Sequence, residues 1–171
     1  MKIVGRGSQP LSEHEFGQIK ILAEENNFSQ PQHTGAVFDR KKVARAAYVE
    51  KVLGFVNYSN LKPLKIVINS GNGAAGPTVD AINKKLIEMG VETKFIYLHH
   101  DPDPTFPNGI PNPLLVENRS STANAVIGEE ADFGVAFDGD FDRCFFFDHR
   151  GDFIPGEYVV CLLYTSPSPR D

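Results

Sequence analysis

The stretch D-F-G-V-A-F-D-G-D-F-D-R-C-F-F-F, at positions 132–147, decides the fold of this chain. Two apolar runs, 133–137 and 144–147, flank three aspartates at alternate positions. Short apolar runs rich in aromatic and β-branched residues are typical of buried strands. The stretch therefore predicts two core strands joined by an acidic loop at the carboxyl end of the first, where open α/β sheets place their ligand sites.

The acidic loop contains the residues that predict a metal site. Asp138, Asp140 and Asp142 repel one another unless a cation neutralises them, and carboxylate oxygens suit Mg²⁺. Arg143 follows at once, and its guanidinium offers a planar fork of donors suited to a phosphoryl group. A solvated acidic turn is the alternative. Because three acids between two buried strands are costly without a ligand, the pattern favours a metal site.

Strands and helices alternate ahead of this loop, which implies right-handed crossovers. The resulting fold class is α/β, a three-layer αβα sandwich with a mainly parallel sheet. The periodicity predicts strands at 64–69, 93–98 and 133–137 and helices at 43–56, 77–89 and 114–127. A turn at 149–152, a strand at 153–154 and a helix at 156–163 follow.

The domain organisation is predicted from breaks in these patterns. Residues 1–38 form a first part, with a strand at 1–4 and a helix at 12–27 that begins with a capping box of Ser12 and Glu15. Residues 39–149 form the α/β domain, and 150–163 begin a third part. The tail 164–171, with its S-P-S-P run, is expected to be disordered or foreign to the chain.

Composition narrows the class of protein. The chain has 171 residues, of which 41% are hydrophobic and 23% charged, as in a soluble globular protein. The net charge of −5 argues against a nucleic-acid partner. No apolar run is long enough for a membrane span, and only two cysteines are present, so the expected compartment is the cytoplasm.

A second motif, G-N-G-A-A-G at 71–76, matches the glycine pattern of dinucleotide-binding turns. The acidic residue that should end the next strand to hold a ribose is missing, because that strand ends in His99 and His100. A tight turn with close backbone packing needs the same glycines. The two histidines are assigned surface or packing roles, and Cys144, between apolar residues, is expected to be a buried and inert thiol.

Four motifs, which occur in the same order along the chain, resemble those of the α-D-phosphohexomutase family. They are D-G-D-F-D-R at 138–143 with the F-F-F-D-x-R-G-x-F-I-x-G-E-Y that follows it, N-S-G-N-G-A-A-G at 69–76, F-P-N-G-I-P-N-P at 106–113, and A-Y-V-x-x-x-x-G-F-V-N at 47–57. The likeness implies a fragment of a four-domain enzyme that covers the end of domain one, domain two and the start of domain three. The remaining domains of the same polypeptide would then be its partners.

The resemblance also implies an activity and its residues. Family members transfer a phosphoryl group between an active-site phosphoserine and a hexose monophosphate through a bisphosphate intermediate. Asp138, Asp140 and Asp142 would hold Mg²⁺, Arg143 would contact the phosphoserine, and Lys2 would be the general acid/base. Mannose phosphates are the implied substrates, with glucose or glucosamine phosphates as alternatives, and the fragment alone is expected to be inactive. A non-catalytic Mg²⁺-binding module and a nicotinamide-dependent dehydrogenase are the competing hypotheses from other classes.

Overall fold

A computed structural model describes residues 3–29, 34–58 and 61–165 of the chain. The chain divides into two compact units, Met1–Asp39 and Arg40–Asp171. The predicted boundary after residue 38 lies next to this division, whereas the finer domain assignment stays a prediction. No helix in the described part of the chain is long and apolar enough to cross a membrane.

The described residues of the first unit form a 3₁₀ turn at Arg6–Ser8 and the α-helix α1 at Glu13–Glu24. Its amino end has the predicted capping box, in which the Glu15 N–H donates to Ser12 Oγ and the Ser12 N–H donates to Glu15 Oε2. These hydrogen bonds lower the pKa of Glu15, the bond from the Ser12 side chain most of all. Of the strand predicted at 1–4, residues 1 and 2 lie outside the described part, and Val4 forms only an isolated bridge with Pro10.

The second unit is built on one five-stranded sheet. Its strands are β1 (Leu64–Asn69), β2 (Thr93–Leu98), β3 (Phe133–Phe137), β4 (Cys144–Asp148) and β5 (Phe153–Ile154). They lie in the order β2-β1-β3-β4-β5. The strands β1, β2 and β3 are parallel, and the antiparallel strands β4 and β5 extend the sheet at the β3 side. This confirms the α/β fold class, with a sheet that is mixed because hairpins join its last three strands.

Helices cover both faces of this sheet. The helices of this unit are α2 (Lys41–Leu53), α3 (Gly76–Glu88), α4 (Ser120–Gly128) and α5 (Gly156–Thr165). Alternate residues of a strand point to opposite faces, so Ile66 and Ile68 pack with Val79 of α3, whereas Val67 packs with Val126 of α4. On the outer side of α3, helix α2 contributes apolar residues to a further cluster.

One predicted helix begins six residues late. The helix predicted at 114–127 starts at Ser120, after a short 3₁₀ turn at Val116–Asn118. The Arg119 side chain donates hydrogen bonds to the carbonyls of Pro113 and Leu114, and the Leu114 N–H is within reach of the Asn112 side chain. Local side-chain bonds of this kind offer the backbone an alternative to the helix, so residues 114–119 remain a shaped loop.

Candidate metal centre

The acidic loop, residues 138–143, connects β3 to β4 at the carboxyl end of β3. Strand β1 ends at the same edge, and β2 lies on its other side, so the chain reverses its lateral direction between β1 and β3. In open α/β sheets such a reversal opens a crevice that commonly binds ligands. The predicted location of the loop is therefore the one observed.

Asp138 is the buried member of the loop, with 1% of its surface exposed. Its Oδ1 accepts hydrogen bonds from the backbone N–H groups of Asp142 and Arg143, at 3.2 and 3.1 Å. Its Oδ2 accepts from Nε of Arg143 at 2.8 Å, and Nη2 of Arg143 lies 2.8 Å from the same oxygen. Both oxygens of this carboxylate are therefore held by groups of the same loop.

Asp140 and Asp142 are exposed, and the three carboxylates converge. One ligand oxygen from each of Asp138, Asp140 and Asp142 lies within 4.8 Å of the other two. An all-oxygen set of this charge fits a hard divalent cation such as Mg²⁺, which binds through few carboxylates and keeps water on its other positions. The residues present therefore suit the implied metal, and they are the ones that the sequence predicted.

Phe141 fixes the turn between the two exposed acids. Its backbone has φ of 64°, a conformation that is uncommon for a bulky side chain. Its ring meets the ring of Phe137 edge to face with centroids 4.8 Å apart, and it packs against the core beneath α3. The apolar contact holds the loop in a backbone shape that directs the acids on either side of Phe141 towards Asp138.

Arg143 folds back onto the loop that precedes it. Besides its bonds to Asp138, its Nε lies 3.5 Å from Asp142 Oδ1. The hydrogen bond with Asp138 raises the pKa of Arg143 most, and the negative charges of Asp138 and Asp142 raise it further. The sequence predicted that Arg143 contacts a phosphorylated group, and that role stays a prediction; in this structure its guanidinium serves as the counter-charge of Asp138.

The backbone of the glycine turn, residues 71–76, packs against the backbone of the acidic loop. The Ala74 N–H donates to the Gly139 carbonyl at 3.0 Å, and a Cβ added at Gly73 would lie 2.6 Å from that oxygen. A Cβ added at Gly76 would lie 2.1 Å from the carbonyl oxygen of His100. Close backbone packing thus accounts for Gly73 and Gly76. This is the alternative to dinucleotide binding that the sequence left open.

A cavity of about 350 Å³, which the sequence did not predict, opens beside the loop. It lies over the carboxyl ends of β1 and β3 and is lined by Asn69, Phe137 and the F-P-N-G-I-P-N-P loop. Asn69 is itself held by a bond from its Nδ2 to Thr122 Oγ1. A polar residue at the end of an apolar strand is the signal that could have pointed to this edge.

Several other predicted residues can now be placed. Lys2 lies outside the described residues. Nε2 of His100 lies 2.8 Å from Asp80 Oδ1, which fits a packing role. The predicted burial of Cys144 is wrong, because it opens β4 next to the acidic loop and is exposed. Partial desolvation, with the charge of Asp138, still raises the pKa of its thiol, as expected of an inert cysteine.

Residues 46–151 match the family model described as phosphoglucomutase/phosphomannomutase, alpha/beta/alpha domain II. The chain belongs to this family. That finding removes the dehydrogenase hypothesis, which rested only on the glycine pattern.

Individual relatives agree with the family model. A phosphomannomutase from Escherichia coli is 51% identical over 95% of this chain, and phosphohexose mutases from Xanthomonas campestris are 46% identical over the same share. A phosphoglucomutase/phosphomannomutase family protein from Burkholderia thailandensis superposes with a TM-score of 0.65 at 26% identity, over 90% of this chain and 31% of its own. The chain spans about 36% of the length of the E. coli relative.

Proposed function

We propose that this chain is part of a phosphomannomutase, an intramolecular phosphotransferase that interconverts mannose 6-phosphate and mannose 1-phosphate. In this mechanism a phosphoserine donates its phosphoryl group to the sugar, and the resulting hexose bisphosphate returns the other phosphate. The observation that carries the proposal is the convergence of three carboxylates beside Arg143 in a chain so similar to proteins of that name. The product would supply GDP-mannose and surface polysaccharide synthesis from the cytoplasm.

Asp138, Asp140 and Asp142 are the residues that would hold Mg²⁺. When bound, the ion offsets the charge on the phosphoserine oxygens as the P–O bond loosens. Asp138 fixes the position of the site because it is buried and bonded to the backbone, whereas Asp140 and Asp142 supply exposed oxygens. This division gives one buried ligand and two exposed ones.

Arg143 would change partners in this mechanism. Its guanidinium occupies Oδ2 of Asp138, an oxygen that a cation would share or take over. Half of the Arg143 side chain is exposed, so it is able to turn outward. A guanidinium released towards solvent at this point would present two parallel donors to a phosphoryl group, which is the role that the family resemblance implies.

Lys2 would act as the general acid/base that moves the hydroxyl proton of the sugar. A lysine whose pKa is lowered by neighbouring positive charge is suited to this. Because the chain covers only about a third of its relatives' length, the phosphoserine, the sugar-recognition loop and the phosphate-binding loop of the whole enzyme would come from other parts of the polypeptide. We therefore expect the 171-residue chain alone to show no mutase turnover.

The test of the reaction is a coupled assay on the complete gene product with mannose 1-phosphate and glucose 1-phosphate as separate substrates. Higher kcat/KM for mannose 1-phosphate supports the proposal. Equal or better turnover of glucose 1-phosphate replaces the mannose assignment with a phosphoglucomutase, and glucosamine 1-phosphate is assayed in the same series. Full activity of a variant in which all three aspartates are alanine would instead remove the metal mechanism. Absence of turnover with all three sugar phosphates would leave a Mg²⁺-binding module without catalysis.

A further inference from the structure

The cavity of about 350 Å³ beside the acidic loop has no part in the proposed mechanism. The polar residues of its described lining are four asparagines, two serines, one histidine and one glutamate, without a lysine or an arginine. We propose that this cavity binds the ring of an uncharged sugar, with Glu117 as the acceptor for two neighbouring hydroxyl groups. The inference goes beyond the proposed function, because this site needs neither the metal nor a phosphate.

Two side chains at the start of α4 fix the walls of the cavity. Asn118 Nδ2 donates to the carbonyl oxygens of Ile110 and Asn112, at 3.3 and 3.2 Å. Arg119, which binds two further carbonyls of the same loop, lies over the Phe153 ring at 3.6 Å from its centroid. The cavity is therefore formed by the protein's own contacts, as most small-molecule sites are.

Apolar surface completes the lining. Pro111 packs so closely against the glycine turn that a Cβ added at Gly71 would overlap the proline ring. The side chains of Ile110 and Phe137 add to this surface. Small-molecule sites commonly combine apolar walls with a few placed polar groups, and a sugar ring presents C–H groups to the first and hydroxyl groups to the second.

Several polar groups of the lining are not used by the fold. Within residues 3–29, 34–58 and 61–165, the side chains of Glu117, Ser120 and Ser121 take part in no hydrogen bond or ion pair. In the same part of the chain the His99 imidazole has no partner, and partial burial lowers its pKa. The cavity thus offers donors and acceptors side by side, which suits hydroxyl groups because each of them both donates and accepts.

The charge of the lining decides between a sugar ring and a phosphate. Glu117 is the only acidic side chain among the described lining residues, and no basic one accompanies it. A phosphate monoester carries about −1.5 to −2 at pH 7, so a carboxylate without a counter-charge would repel it. Two neighbouring sugar hydroxyls instead present two O–H donors to the two oxygens of the carboxylate.

The openness of the site sets the expected affinity. Glu117, Ser120 and Ser121 are exposed, so a bound ring would keep one side in water. Much of the gain from its hydrogen bonds is then offset by the water that both partners lose. We expect a dissociation constant of about 1 mM, at the weak end of the affinity scale.

The experiment uses the 171-residue chain in EDTA, so that no metal takes part. Saturation-transfer NMR detects binding of methyl α-D-mannopyranoside and methyl α-D-glucopyranoside, with inorganic phosphate as competitor, and amide shifts of the labelled protein give location and affinity. Glu117→Gln removes the carboxylate and keeps the size of the side chain. Glu130→Gln makes the same change at an exposed position beyond the other end of α4. Ser121→Ala removes a hydroxyl where alanine favours the helix, so the fold is retained.

We expect at least one glycoside to bind, with amide shifts concentrated at 69–71 and 108–121 and no displacement by phosphate. Glu117→Gln should weaken binding about tenfold, the effect of lost hydrogen bonds to a charged group, and Ser121→Ala about threefold. Glu130→Gln should change the affinity less than about twofold, because a distant exposed charge is screened. The glycoside that binds more tightly identifies the ring stereochemistry that the cavity accepts.

Three results would overturn this inference. They are absence of binding by both glycosides, equal losses in Glu117→Gln and Glu130→Gln, and displacement of the glycoside by phosphate, which would assign the cavity to anions. Each leaves the proposed function standing, because that function depends on the acidic loop and is tested by the coupled assay on the complete gene product. Conversely, absence of turnover in that assay leaves sugar binding in EDTA unaffected.

Discussion

Two turns of the same sheet share one hydrogen-bonding pattern but differ in the role that we infer for them. In the acidic loop, Asp138 accepts two backbone N–H groups with Oδ1 and the side chain of Arg143 with Oδ2. In the second turn, residues 148–152 between β4 and β5, Asp148 accepts two backbone N–H groups with Oδ1 and the side chain of Arg150 with Oδ2. The pattern by itself is therefore a way to close a hairpin, and it does not identify a functional site.

Burial and position separate the two turns. The side chain of Asp138 is 2% exposed and that of Asp148 is 26% exposed. Asp148 pairs with Phe133, the first residue of β3, so the second turn lies at the opposite edge of the sheet from the acidic loop. A function is inferred only where the pattern is buried, carries further acids and lies at the carboxyl ends of the parallel strands.

The largest difference is expected between Asp138→Asn and Asp148→Asn. The first removes the charge that pairs with Arg143 in a buried position, so it should abolish Mn²⁺ binding and lower the free energy of unfolding by about 2–4 kcal/mol. The second changes an exposed turn and should leave Mn²⁺ binding intact with only a small loss of stability. Urea denaturation followed by circular dichroism, with Mn²⁺ titration of each variant, checks this, and equal losses in the two variants would contradict it.

Asp140→Asn and Asp152→Asn compare exposed acids of the two turns. Loss of one ligand charge should weaken Mn²⁺ binding about tenfold or more in Asp140→Asn. Asp152 has no part in the cluster, although it lies 3.1 Å from Arg150, so its variant should bind the ion like the wild type. Both should keep nearly the same midpoint in urea; a weaker ion affinity in Asp152→Asn would mean that general negative charge, not a site, attracts the metal.

Arg143→Gln is expected to act in the opposite direction. Because the guanidinium occupies Oδ2 of Asp138, its removal should raise the Mg²⁺ affinity of this chain, by about fivefold. Arg150→Gln is the matched control and should leave that affinity unchanged. Calorimetric titration at constant ionic strength provides the measurement. A lower affinity in Arg143→Gln would show that the arginine supports the metal geometry and does not compete with the ion.

The smallest effect concerns pH. Burial alone would raise the pKa of Asp148, but bonds from the backbone of Asp152 and Arg150 and from the Arg150 side chain lower it overall. A carboxyl group with a lowered folded-state pKa stabilises the fold above its unfolded pKa, and that contribution is lost as pH falls through the folded value. The wild type should therefore lose more stability than Asp148→Asn below about pH 4, as measured by urea midpoints between pH 7 and 3. Parallel pH profiles would exclude the effect.

Much of the fold follows from local sequence. The bounds of β1, β2 and β3 coincide with the apolar runs that predict them, because helices cover both faces of the sheet and most positions of these strands are at least partly buried. The grouping of Asp138, Asp140 and Asp142 was also recognisable, since they stand at alternate positions directly after a buried strand, and their role as metal ligands stays a prediction. The capping box of α1 was readable because its two residues act within one turn.

What the sequence did not predict depends on contacts between distant segments or on side-chain direction. The late start of α4 results from the bonds of Arg119 to carbonyls ahead of it. Cys144 is exposed because the strand it opens begins at the loop, beyond the cover of a helix. The return of Arg143 onto Asp138, and the cavity that α4 forms with the F-P-N-G-I-P-N-P loop, require positions in space that no local pattern encodes.

The contact between the glycine turn and the acidic loop has a consequence for how an ion would be captured. The Gly139 carbonyl is tied to the Ala74 N–H, and Gly73 lies against the same peptide. The loop is thereby preorganised, so that little conformational entropy would remain to be lost on association. Selectivity among cations would then depend on the fit to a preset geometry, and an ion of unsuitable radius would gain little from the loop adapting around it.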